Sequence, residues 1–260
     1  MKNPGTLDQV DLQPKTRFTS KAGFYEARPD YPGKVVTILQ DELNLKPVHI
    51  IADIGAGTGK LTRLFLENGN TVYAVEPNLV MLSIARKLLN KYPDFHPFEA
   101  CAETTGLKTG SVDYIVVGQA HHWFEKQEAL SEFHRILKNP GFLAIIGKKT
   151  TYLENELEEK INRLEDEFCF RGQRKPDHVF YDVSTYFEPT GSVRKTFSVR
   201  MQLTPEQALE RLLSSSFAPS AGKEEYKIYR QRLIESLNHY QKNNMIDIEL
   251  SVIMNYARIK

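Results

Sequence analysis

The sequence predicts an α/β protein: a doubly wound, mostly parallel sheet of seven strands, with an antiparallel last strand and an inserted helical cap. Three observations predict it. An apolar run, Val48 to Ala52, leads through Asp53-Ile54-Gly55-Ala56-Gly57-Thr58-Gly59 into the amphipathic stretch Lys60 to Leu66, which reads as buried strand, glycine turn and helix. Strand and helix patterns then alternate with short links as far as residue 150, the signature of parallel βαβ units. Finally, a late run, Asp247 to Ile259, reads as a last strand lying beside its neighbour as a hairpin at the sheet edge.

Composition narrows the class. The 260 residues suffice for one full core with room for an inserted cap, and 41% hydrophobic and 26% charged residues are ordinary globular values. A net charge of +1 offers no electrostatic case for a nucleic-acid partner. Two cysteines, Cys101 and Cys169, form neither a disulfide framework nor a cysteine-rich metal site, and read as free thiols. The N-terminal residues hold no apolar signal core, and no run approaches the roughly 18 apolar residues of a membrane helix. These features lead to the expectation of a cytoplasmic protein, monomer or homodimer, with no membrane and no metal.

In chain order, residues 1–16 read as a loosely held arm. Phe24-Tyr25-Glu26-Ala27-Arg28-Pro29-Asp30-Tyr31-Pro32 is too short for a core element. It reads either as a clamp on the helix Gly33 to Leu43 or as a lid over a ligand. The strand Val48 to Ile54 and a helix from Thr58 to Asn68 flank the glycine turn, and Thr71 to Val75 is a second strand ended by Glu76-Pro77. Asn78 to Asn90 is the next helix, Phe95 to Ala100 a third strand, and Ser111 to Gly118 a fourth. Glu125 to Lys138 is an amphipathic helix closed by Asn139-Pro140-Gly141, and Phe142 to Gly147 is the fifth strand. Beyond it, Tyr152 to Phe170 is a charged helix and residues 171–191 mix aromatics, among them Tyr181, Tyr186 and Phe187, with turns. Val193 to Leu203 alternates as a strand. Thr204-Pro205-Glu206 starts a helix with threonine as N-cap and proline at its first position. Lys223 to Lys242 is the last helix. This suggests an arm and lid helix over 1–44, a ligand-binding core over 45–150, a cap from 151–190 and 204–217, and completion of the core sheet by 191–203 and 218–260.

The chemistry concentrates at strand ends. Glycines at every second position allow a sharp turn and close backbone approach to a ligand, beside the unpaired N–H groups of a helix start; a ligand-free tight turn is the alternative. A dinucleotide site wants G-x-G-x-x-G, and here that third position is Lys60, with the third glycine one residue early. Glu76 ends the second strand on the edge where open α/β sheets bind ligands. It suits the paired hydroxyls of a ribose and would repel a 2′-phosphate.

With Asp53 two residues before Gly55, the loop resembles the acidic-x-G-x-G-x-G first motif of the class I S-adenosylmethionine (SAM) dependent methyltransferases, which are Rossmann-like. Tyr25 to Pro32 is similar to the Y-x-x-x-R-P-x-Y-P stretch ahead of that motif in small-molecule methyltransferases, and Gln119-Ala120-His121-His122-Trp123-Phe124 resembles the A-x-H-W-F stretch of trans-aconitate- and menaquinone/ubiquinone-type enzymes. The resemblance runs from Tyr25 to Lys148 and then weakens. It implies SAM as cofactor, held by Asp53, Gly55, Ala56, Gly57 and Gly59, by Glu76 with Pro77 and Met81, by Ala102 and Glu103 at the adenine, and by Gln119 and Ala120. Tyr25 and Arg28 would lie near the methionine carboxylate. Tyr31 and Trp123 would face the substrate.

His121 and His122 are candidate general bases, because imidazole titrates near neutrality. As metal ligands they are unsuited, since adjacent residues of an extended segment point apart. The chain lacks the Asn/Asp-Pro-Pro-aromatic motif of DNA amino methyltransferases and the Pro-Cys nucleophile of cytosine-C5 enzymes. The expected activity is therefore methyl transfer to an O, C or N nucleophile of a small molecule. A non-catalytic SAM-binding protein and an NAD-dependent oxidoreductase are the alternatives.

Overall fold

A computed structural model describes residue 24 and residues 26–168, 183–215 and 218–260 of the chain. The expectations for the arm, Tyr25, Cys169, Tyr181 and the end of the first cap helix lie outside the described residues. Seven strands form one sheet: β1 Ile50–Ile54, β2 Thr71–Val75, β3 Phe95–Phe98, β4 Val112–Gly118, β5 Leu137–Tyr152, β6 Val193–Leu203 and β7 Ile246–Arg258. Their order is β3-β2-β1-β4-β5-β7-β6. The first five are parallel, and β7 pairs antiparallel with both β5 and β6. The order reverses between β1 and β4, and ligands of open α/β sheets bind beyond the strand ends at such a reversal.

Among the described residues seven α-helices accompany the sheet: α1 Lys34–Leu43, α2 Lys60–Glu67, α3 Leu79–Leu89, α4 Lys126–Ile136, α5 Asn155–Phe168, α6 Pro205–Leu213 and α7 Glu224–Tyr240. α1 and α2 cover one face, burying Val35, Leu39, Leu61 and Phe65 with Ile51, Val116 and Ile146. On the other face Ala129, Phe133 and Ile136 of α4 pack with Ile54, Ile115, Val117 and Ile145. These sets follow from the continuous apolar runs of β1 and β4, whose alternate side chains feed opposite layers.

Two differences from the sequence expectation matter for the site. The fifth strand is not Phe142 to Gly147 but runs for 16 residues, with Asn139-Pro140-Gly141 inside its start. It pairs with β4 only to Gly118↔Ile146, then continues against β7 as far as Tyr152↔Ile248. Ladder hydrogen bonds to a non-local partner extend it, and a sequence window does not show those. Secondly, β6 rather than β7 is the edge strand, and two helices rather than a hairpin turn join them.

The extended ends of β5, β6 and β7 carry a third core, in which Tyr152, Leu157, Ile161, Leu212, Tyr229, Leu233 and Ile248 are buried together. α7 packs here with α5 and α6, although the sequence pattern alone assigns it to completing the sheet. α6 begins as expected: Thr204 Oγ1 accepts the Gln207 N–H, and the Gln207 side chain accepts the Thr204 N–H, closing a capping box with Pro205 at the first position.

Candidate functional site

The loop after β1 is tied to β2: the N–H groups of Gly55 and Ala56 donate to Val75 O at 2.9 and 3.1 Å. Its three glycines adopt left-handed φ values of 73°, 59° and 84°, where a Cβ is disfavoured. They differ in what surrounds them. A Cβ on Gly55 would sit 2.4 Å from the Ala120 Cβ, and one on Gly59 2.5 Å from Leu89 Cδ1, whereas one on Gly57 would meet only Met81 Cε at 3.6 Å. The outer glycines let strand and helices pack. The middle one keeps its side of the loop open.

Glu76 and Asp53 give the loop its electrostatics. Glu76 is 8% exposed, and its two carboxylate oxygens accept the N–H groups of Gly57 at 2.9 Å and Asn78 at 2.8 Å. Burial raises its pKa, and those two N–H groups oppose the rise. Asn78 in turn caps α3, its side chain accepting from Val80 and Met81 N–H, with Pro77 just outside the helix. Asp53 is fully buried. Thr62 Oγ1 donates to its Oδ2 at 2.6 Å, while no donor among the described residues reaches Oδ1. Burial pushes the Asp53 carboxyl up to about 7, Thr62 opposing and the Glu76 charge adding to the rise.

After β3, Ala102 is buried and Glu103 accepts the Glu125 N–H at 2.9 Å, at the start of α4. The loop is anchored beneath by Glu132, which accepts from Thr105 N–H at 2.8 Å and pairs with Arg135. After β4, Gln119 takes a left-handed φ of 54° and donates through Nε2 to Lys148 O at 2.7 Å. Ala120 is buried against Gly55.

The segment carrying the two histidines is not extended. His121–Trp123 is a 3₁₀ turn, closed by Trp123 N–H to Ala120 O at 2.9 Å and Phe124 N–H to His121 O at 3.2 Å. The His121 and His122 ring centroids lie 5.6 Å apart at 90°. His121 is 5% exposed and packs edge-on against Tyr186, whose OH donates to His121 O at 3.1 Å; His122 and Trp123 are half-buried. Among the described residues no group of three metal-ligating side chains occurs.

Before α1, Arg28 donates to Ser214 Oγ at 2.8 Å and Ser214 O at 2.7 Å, joining this segment to the end of α6. Tyr31 is nearly buried, its hydroxyl lying against Gly118 at the end of β4.

Residues 52–145 match the family model described as a methyltransferase domain. This segment is similar to that family. The class I SAM-dependent resemblance holds, and SAM is the cofactor of such a domain. The chain is 37% identical over 133 residues to an uncharacterised methyltransferase of Schizosaccharomyces pombe, covering 51% of this chain and 52% of that protein. It is 31% identical over 112 residues to the ubiquinone/menaquinone biosynthesis C-methyltransferase of Campylobacter jejuni, covering 40% and 46%. The chain thus spans about half the length of the curated relatives it matches. A structure from Anaeromyxobacter dehalogenans, provisionally assigned as a type II methyltransferase, superposes with a TM-score of 0.66 at 20% identity over 89% of this chain and 98% of that one. This likeness shows the fold.

The residues of this segment fit SAM on two counts. Gly57 leaves room for a ligand where its neighbours leave none. Glu76, held by two backbone N–H groups, retains lone pairs for the two hydroxyls of a ribose, and the orphaned Asp53 oxygen offers negative charge to a cationic ligand. The sequence reading missed Lys148. It is a half-buried lysine just past the end of the β4–β5 ladder, and its only sequence signal is an ammonium ending an otherwise apolar strand.

Proposed function

We propose that the chain is a methyltransferase that transfers the methyl group of SAM to a small-molecule acceptor. The observation that carries this reading is the juxtaposition of the open Gly57 cradle with the Glu76 carboxylate at the reversal between β1 and β4. When bound, SAM supplies an electrophilic methyl on a sulfonium.

The roles we assign to this chain's residues are those that the resemblance implies. Glu76 accepts from the ribose, and Asp53 balances positive charge beneath the loop. Ala102 and Glu103 border the adenine, with Met81 under it. Gln119 and Ala120 edge the methyl-transfer point. The resemblance assigns Arg28, which here donates to Ser214, to the methionine carboxylate together with Tyr25. Tyr31 and Trp123 wall the acceptor, which the protein holds in line with the methyl and shielded from water. A carboxylate acceptor needs no base; a hydroxyl or carbon acid does. His122 is then the better placed candidate, because His121 is packed under Tyr186. The near-zero net charge favours a small molecule over nucleic acid. No helix among the described residues is long and apolar enough to cross a membrane.

Isothermal calorimetry with SAM, S-adenosylhomocysteine and NAD tests the reading. Micromolar binding of the first two without NAD is expected, followed by methyl transfer to an acceptor in a screen of small acids and phenols. Binding of NAD alone would overturn it.

A further inference from the structure

We propose that Asp30, Lys60 and Arg63 form an ion-pair latch that holds Glu26 to Tyr31 as a strap across the ligand edge of the sheet, so that parting the latch loosens whatever is bound beneath. The proposal rests on the methyltransferase reading for the identity of that ligand. The latch itself stands on contacts within the chain.

The strap has two kinds of attachment. At its end, Tyr31 is nearly buried in the apolar core beneath α1 and α2, and its hydroxyl lies against Gly118 at the end of β4. Ahead of Tyr31 the ties are hydrogen bonds and ion pairs. Lys60 Nζ donates to Glu26 O at 3.0 Å and pairs with Asp30 Oδ1 at 2.9 Å. Arg63 pairs with the other Asp30 oxygen. From the opposite side Lys148 donates to Pro29 O and lies 4.0 Å from the centre of the Tyr31 ring. Arg28 donates twice to Ser214 at the end of α6.

These contacts fix where the strap lies. Lys60 directly follows Gly59 and opens α2, so one end of the latch is the helix that leaves the glycine loop. Gly118 ends β4, and Lys148 stands on β5 two residues beyond its last pairing with β4. The strap therefore joins the start of α2 to the ends of β4 and β5, on the edge where the strand order reverses. A ligand seated at Gly57 is bounded on this side by residues 26–31.

The latch is of a kind that can open. The Asp30 side chain is 51% exposed and that of Arg63 39%, and pairs so exposed hold weakly and are screened by salt. Two cations on one carboxylate, one of them also on Glu26 O, make a small network rather than an isolated pair. The apolar anchor at Tyr31 does not depend on charge. It keeps the base of the strap in place while the polar part swings.

The test follows strap opening by cleavage with a glutamyl endopeptidase after Glu26, an exposed residue, as the fragment that begins at Ala27. Rates are taken relative to a free peptide of residues 22–32, with and without S-adenosylhomocysteine, whose affinity is measured by calorimetry. S-adenosylhomocysteine should slow cleavage of the intact chain. Raising NaCl from about 50 to about 500 mM should speed that cleavage and weaken binding. Asp30→Asn and Lys60→Met should each speed cleavage and weaken binding by about two- to tenfold, and Asp30→Asn should remove most of the salt dependence. Lys227→Met, which breaks an exposed pair on α7, should change neither. Salt-independent cleavage of the intact chain would overturn the latch whether or not the variants fold. Cleavage unchanged by bound S-adenosylhomocysteine would overturn the strap's place over the ligand. If S-adenosylhomocysteine does not bind, the cofactor reading falls, and the cleavage rates of the intact chain and variants decide the latch alone.

Discussion

The Gly57 N–H donates to Glu76 Oε2 at 2.9 Å, so the middle of the glycine loop is held by the residue that ends the neighbouring strand. One carboxylate thereby shapes the loop and, through its remaining lone pairs, presents an acceptor beside it. Asn78 N–H on the other oxygen fixes its direction. Removing the carboxylate should loosen the loop and the ligand together.

Glu76→Ala should weaken SAM binding by roughly 1–3 kcal/mol, about 5- to 150-fold in Kd, as charge-assisted hydrogen bonds are lost. Calorimetry measures this directly. An unchanged Kd would remove Glu76 from the site.

Gly57 and Gly59 should separate by mechanism. Gly57→Ala and Gly59→Ala both incur the strain of a left-handed backbone, but only at Gly59 does the new Cβ collide with a buried side chain, Leu89. Gly59→Ala should therefore be the less stable by about 1–3 kcal/mol in urea unfolding. Gly57→Ala should instead lose affinity for SAM. The reverse ranking in either measurement would contradict the assignment.

Asp53 makes stability depend on pH. Its folded carboxyl, raised to about 7, still holds a proton where the unfolded one has lost it. The folded state therefore binds the extra proton between about pH 4 and 7. The stabilising difference is complete below the unfolded pKa and is lost as pH rises through 7, amounting to up to about 4 kcal/mol. Asp53→Asn should match the parent near pH 4 and melt higher than it at pH 8. Equal pH profiles for the two proteins would refute the burial argument. SAM, being cationic, should bind the ionised parent better than the Asn variant.

The loop after β3 depends on Glu132 beneath it. Glu132→Ala strips the Thr105 N–H and hydroxyl and the Arg135 guanidinium of their acceptor in a nearly buried place. A loss of about 2–3 kcal/mol in urea unfolding is expected. A change below a few tenths would show that water replaces the carboxylate.

The histidines can be told apart by melting and rate. His121→Ala opens space under Tyr186 and should lower the melting temperature. His122→Ala should leave stability nearly unchanged and, if the acceptor needs a base, lower the turnover rate.

Much of the site was legible along the chain because its parts are local. The order strand, Asp53, alternating glycines, helix needs only short-range geometry, and Glu76 is placed by ending the next strand. The Thr204-Pro205 helix start was legible for the same reason. The turn at His121–Trp123 was not, because it is set by contacts with Ala120 and Tyr186 rather than by a periodic pattern.

From the sequence alone came the class of fold, the glycine loop and the two acids that end the strands beside it, since hydrophobic period and glycine placement act over a few residues. Only the tertiary structure decided how far β5 runs, that β6 is the edge, that α7 joins α5 and α6, and that Lys148 stands beside the end of β4. Those outcomes depend on ladders and charges between residues tens of positions apart, where the energy lies in partners that no local window contains.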